Sequence, residues 1–202
     1  MFCRQYFPNL MKGVRMIAMI RPAAALSLAL LLAGCTGTPV TIDSTSTADY
    51  NLSLVAYGAK SGEVAAEIHG QPFAAPVPSQ TIARAAPMPP WSAARTLTAQ
   101  PGPGTPRNYR VVLTFNPAER SGVSNACIVS RPPIAPPDQG MLRVSADYCA
   151  FDRSLSHLVA SAPAASGPDD PRFRDLMAVV LAHLLPATDP NNQPEGCHSL
   201  TC

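Results

Sequence analysis

Apolar side chains recur at Phe173, Leu176, Met177, Val180, Leu181 and Leu184, three and four residues apart, and draw one stripe along a helix. Asp170 is placed to cap that helix. Pro171 takes its first position, where a missing N–H costs nothing, and Pro186 ends it. Arg172 and Asp175 fall off the stripe. Other segments carry strand signals. NYRVVLTFNP (108–117) is dense in β-branched and aromatic residues and closes on Asn116-Pro117. GMLRVSADYCAFD (140–152) is a second strand, and SLSHLVASA (154–162) follows Asp152-Arg153 closely enough to form a hairpin with it. SNACIVSR (124–131) predicts a short strand, broken by PPIAPP. YNLSLVAYGA (50–59) and GEVAAEIHG (62–70) flank a turn at Lys60-Ser61-Gly62 and predict another hairpin, although the first segment can start as a helix. A striped helix buries its stripe most simply against one face of an antiparallel sheet. The expected fold is therefore α+β: a small antiparallel sheet packed by a C-terminal amphipathic helix, with long Pro-rich loops.

Proline changes the organisation. The chain has 23 in 202 residues, against about 5% in an average protein. The Pro-rich stretch 72–107 reads as an insertion into a single domain over 50–186. Within it Ser79 can cap a short helix, QTIARAA, ended by Pro87. MPPW (88–91) suits either a polyproline II segment docked on a partner or a loop packed on its own domain with Trp91 as a plug. The second is expected. Residues 36–49, polar and Ser/Thr-rich, read with residue 35 as a flexible tether. Residues 187–202 form a tail with two cysteines.

The longest apolar run, Ala23 to Ala33, is interrupted only by Ser27. It is about half the roughly 20 residues a membrane-spanning helix needs, and it suits the core of a signal peptide. Lys12, Arg15 and Arg21 supply the positive segment before it. The run closes as Leu32-Ala33-Gly34-Cys35, which resembles the lipobox of bacterial lipoproteins. That resemblance implies a signal peptide over 1–34 and lipid on Cys35, palmitate among its acyl groups. Several acyl chains at about 0.8 kcal/mol per buried methylene hold a protein on a membrane without spanning it. Thr36 differs from the Asp that resembles an inner-membrane retention signal, which favours the outer membrane, facing the periplasm. A start at Met16 would leave a compact signal, with residues 1–15 upstream of it and Cys3 irrelevant.

Loss of residues 1–34 removes four of fifteen basic residues and none of the thirteen acidic ones, turning a net charge of +2 into −2. The remaining arginines are scattered and Lys60 is the single lysine, so nucleic-acid binding, which needs a concentrated basic surface, is excluded. Of the remaining cysteines, Cys35 is assigned to lipid. Cys127, Cys149, Cys197 and Cys202 are an even set suited to disulfides in an oxidising compartment. A 127–149 bridge between strands is plausible, and CHSLTC (197–202) would close a small loop, but three pairings remain open.

Candidate chemistry is sparse. Cys149 with His157 is the nearest thing to a nucleophile and base. Asp147 with Asp152 is a possible carboxylate pair, more simply read as strand-edge solvation. His69 and His183 read as surface or structural histidines. Gly196-Cys197-His198 near His183 lacks the ligand spacing of a metal site, so no metal or cofactor is expected. No catalytic residue is assigned. The expectation is a structural or protein-interaction lipoprotein, with the membrane and an envelope protein as partners. The alternatives are a ligand-binding lipoprotein with a pocket between helix and sheet, or a thiol or hydrolytic enzyme.

Overall fold

The computed structural model describes residues 38–192, except 124 and 137–139. Cys35, Cys197, Cys202 and residues 1–34, where a signal peptide is expected, therefore lie outside the described residues. In chain order the elements are β1 (Thr41–Ser46), α1 (Leu52–Gly58), β2 (Glu63–His69), α2 (Ser79–Ala85), β3 (Thr96–Thr98), β4 (Tyr109–Phe115), β5 (Met141–Ala150), β6 (Arg153–Pro163) and α3 (Pro171–Leu184), with a final 3-10 turn at Pro190–Asn192. The fold is α+β. Among the described residues no helix is long and apolar enough to cross a membrane.

The sheet is neither small nor wholly antiparallel. Its six strands run in the order β1-β6-β5-β4-β2-β3. β2 is parallel to both β3 and β4, and the remaining neighbours are antiparallel. Parallel neighbours need a crossover of a dozen or more residues. The Pro-rich segment supplies it, and it contains α2 and β3 rather than loop alone.

The expected hairpin before β2 is replaced by a helix. The Asn51 side chain accepts hydrogen bonds from the backbone N–H groups of Ser53 and Leu54 at 3.0 and 3.1 Å, which starts α1. Gly58 brings α1 against the sheet: a Cβ there would lie 2.3 Å from the Tyr148 hydroxyl and 2.8 Å from Tyr109 Cβ. The supposed tether is also shortened, because residues 41–46 form the edge strand β1 along β6. The strand expected at 124–131 is absent from the described residues there. Asn125, at φ +55°, turns the chain, and its carbonyl accepts from the N–H groups of Ile128 and Val129. Ser79 is the first residue of α2 and not its cap, since Pro78 stands at the cap position.

One face of the sheet and α3 share a single core. Val111, Leu113, Phe115, Val144, Ala146, Tyr148 and Leu158 belong to it, with Phe173, Leu176, Met177, Val180, Leu181 and Leu184 of α3. Phe173 meets Phe73 edge-on at 5.0 Å and Phe115 at 6.2 Å. The carbonyls at the helix C-terminus, which lack helical partners, are held by side chains from three other segments. Ser156 Oγ donates to Leu184 at 2.6 Å, Trp91 Nε1 to Leu185 at 2.8 Å and the Tyr50 hydroxyl to Pro186 at 2.8 Å. Trp91 stays 50% exposed, so it is a rim hydrogen-bond donor and not a buried plug.

Candidate functional site

The opposite face of the sheet carries the polar chemistry. Strand alternation puts Arg110, Val112 and Thr114 of β4, Ser145, Asp147 and Cys149 of β5, and His157 and Val159 of β6 on that side. Asp147 stands directly opposite His157 in the β5–β6 hairpin and is only 3% exposed. His157 Nδ1 is 3.1 Å from Asp147 Oδ2, and Ser154 Oγ donates to Oδ1 at 2.8 Å. A bulge makes the second of these contacts. The register shifts between Tyr148 and Cys149, so Leu155 stays in the core and Ser156 reaches α3, while Ser154 turns back toward Asp147.

A loop closes over this group. Gly122, at φ +91°, lies so close to the sheet that a Cβ would meet Val159, Ser145 Oγ and His157 Cε1 at 2.6, 2.7 and 3.1 Å. The backbone N–H of Val123 donates to Ser145 Oγ at 3.1 Å. Cys127 and Cys149 form a disulfide, with Cα atoms 5.6 Å apart. Cys127 lies in the turn and not on an opposed strand, so the bond staples loop to sheet. Val112, Val123 and Ala126 pack around it as a second small core. Arg110 ties the same region together: it donates to Glu67 at 2.9 Å, to the Phe151 carbonyl at 3.0 Å and to the Cys127 carbonyl at 2.6 Å.

Between this loop and the end of β1 lies a cavity of about 410 Å³ whose wall includes Ser46, Asp49, Ser121, Asp147, Ser154 and His157. Its chemistry is acid–base without a nucleophile in line. A Ser-His-Asp triad places histidine between the carboxylate and the hydroxyl. Here the carboxylate stands between them, and Ser154 Oγ is spent on Asp147 and on the Ser156 carbonyl at 3.2 Å. The Cys149–His157 pairing is overturned, because Cys149 sulfur is bonded to Cys127 and holds no free thiolate. Asp147 pairs with His157 and Ser154, whereas Asp152 is exposed at the hairpin turn. His69 is 3.1 Å from Glu67 on β2, and His183 Nδ1 is 2.9 Å from the Val179 carbonyl on α3. Among the described residues no group of three or more His, Cys, Asp or Glu is placed to hold a metal.

The hydrogen bond to Asp147 raises the His157 pKa, against a lowering by burial; the Asp147 charge and the Ser121 backbone raise it further. Folded His157 therefore holds its proton more tightly than the unfolded chain does. The stability it contributes is fully present below the ordinary histidine value of about 6.5 and is lost as pH rises through the folded value. Denaturant midpoints are expected to fall as pH rises above about 6.5, and His157→Gln should flatten that decline. An undiminished decline in the variant would assign it to other groups.

Ser154, Gly122 and Arg110 escaped sequence reading. Counting outward from the Phe151-Asp152 turn would have paired Asp147 with His157, one bulge residue aside. No protein-family model matches the chain, and no curated protein or solved structure proved similar to it.

Proposed function

We propose that the chain is a bacterial lipoprotein, held by lipid on Cys35 at the outer membrane and facing the periplasm, whose domain serves structure or protein interaction in the envelope. The observation that carries this reading is the Cys127–Cys149 bond, a kind of cross-link that persists in oxidising compartments and is rare in the cytosol. It agrees with the positive segment, the short apolar run and the lipobox-like Leu32-Ala33-Gly34-Cys35. An interaction role needs no nucleophile, and the hydrogen bonds of Asp147 and Ser154 are already spent within the domain. Metabolic labelling with fatty acid is expected to mark the wild-type protein and not the Cys35→Ser variant, which should be left uncleaved or soluble. Label that survives the substitution would overturn the anchor.

A further inference from the structure

The turn between β5 and β6 places Phe151 at φ +59°, a left-handed conformation that Gly or Asn adopts more easily. Its backbone is pinned on both sides. The Phe151 N–H donates to the Asn108 carbonyl at 2.7 Å, and its own carbonyl accepts from Arg110. The ring so held is 56% exposed. It packs edge-on against Tyr109 at 5.6 Å, and Tyr109 packs edge-on against Tyr57 at 5.2 Å, itself 49% exposed. These three rings line a cleft of about 380 Å³, within the range of small-ligand sites. Ser53, Asn108 and the two tyrosines are polar residues of its lining, and Arg107, whose Nη2 also donates to the Pro101 carbonyl at 3.4 Å, adds a cation. Lys60 Nζ sits 4.5 Å from the Tyr57 ring centre. Among the described residues no carboxylate lines the cleft.

Strained backbone that holds an aromatic ring in water is a mark of a binding surface. Aromatic faces carry partial negative charge and attract the C–H groups on the apolar face of a sugar ring. Hydroxyls and an amide in the lining suit sugar hydroxyls, and one lining guanidinium with no lining acid suits a carboxylate. We propose that this cleft binds a carboxylate-bearing glycan, its rings against Tyr57 and Phe151 and its carboxylate at Arg107. The choice of an envelope glycan rests on the lipoprotein reading. The position agrees with it. The chain comes into the sheet at the other end, where Thr38 N–H donates to Asp175 and Thr41 pairs with Ser161. From Ser161 to Arg153 along β6 is roughly 25 Å at strand rise, so the cleft lies at the far end of β6 from the first described residues.

The full chain in mild detergent, mixed with purified peptidoglycan sacculi and sedimented, tests this. Wild-type protein is expected to pellet with the sacculi. Phe151→Asn keeps the left-handed turn while removing the ring, and it should weaken binding about tenfold with an unchanged melting temperature. Tyr57→Ala should act alike, and Arg107→Gln should reduce both affinity and its salt dependence. Equal retention on chitin, which has the sugar rings without carboxylates, would overturn the charge contact. Equal retention on polyglutamate would overturn the ring contact. No retention on sacculi, or retention untouched by the three variants, would overturn the site, and a crosslinker at Tyr57 that then captured a protein would assign the cleft to a protein partner. Fatty-acid labelling of Cys35 is scored separately, so a failed anchor and a failed cleft give different results.

Discussion

Leu181→Asp is expected to leave no cooperative unfolding transition at all. Leu181 is fully buried in the middle of the α3 stripe, in the core shared with the sheet. The substitution removes a packed side chain, which alone costs about 2–5 kcal/mol. It also puts a carboxylate where no cation is available, at a further cost of several kcal/mol. Total stabilities of domains this size are about 5–15 kcal/mol, so the two together consume most of the margin. His183→Asp is the control. His183 is exposed two residues along the same helix, and its change should stay within about 1 kcal/mol. Circular dichroism melts of the two variants decide the matter, and equal losses would mean that the helix faces the sheet in a different phase.

The second large effect is expected from the disulfide. Intact protein should resist alkylation at Cys127 and Cys149 until it is reduced. Reduction should then lower stability by about 3 kcal/mol, since the bond closes a loop with a sequence separation of 22. The loss should centre on the loop that covers Asp147 and His157, because Cys127 is its attachment to β5. Hydrogen exchange at Val123, whose N–H is bonded to Ser145 Oγ, should accelerate more on reduction than exchange in α3. Mass mapping that finds Cys149 alkylated without reductant would overturn the bond and restore a free thiol beside His157.

What the sequence disclosed follows from where periodic burial was present. The 171–184 helix carries an apolar stripe, and β4, β5 and β6 are rich in β-branched and core residues, so each announces itself locally. β1 does not. All six of its residues are exposed, and it is a strand only because its backbone pairs with β6. The parallel pairing of β2 with β3 and β4 is equally silent, since it depends on how residues 70–108 cross over and not on any side-chain period. α1 fell between signals: it has seven residues, begins at an Asn cap and buries only Val55 and Gly58. The site was half visible. Asp147 and His157 are both visible as titratable groups, but in sequence each stands nearest another candidate, Asp152 or Cys149. Their real partnership is a property of hairpin register. Arg110 was hidden because one guanidinium serves three segments that are distant in sequence.

The edge position of β1 has a consequence for the time course of folding. Among the described residues β1 comes first of the strands and its one sheet neighbour is β6; the side-chain contact between Asp43 and Ser161 spans a sequence separation of 118. A chain emerging N-terminus first therefore carries Thr41–Ser46 unpaired until nearly the whole domain has appeared. An apolar edge would recruit other chains during that wait. The sequence TIDSTS, five of its six residues polar, is poorly suited to such recruitment.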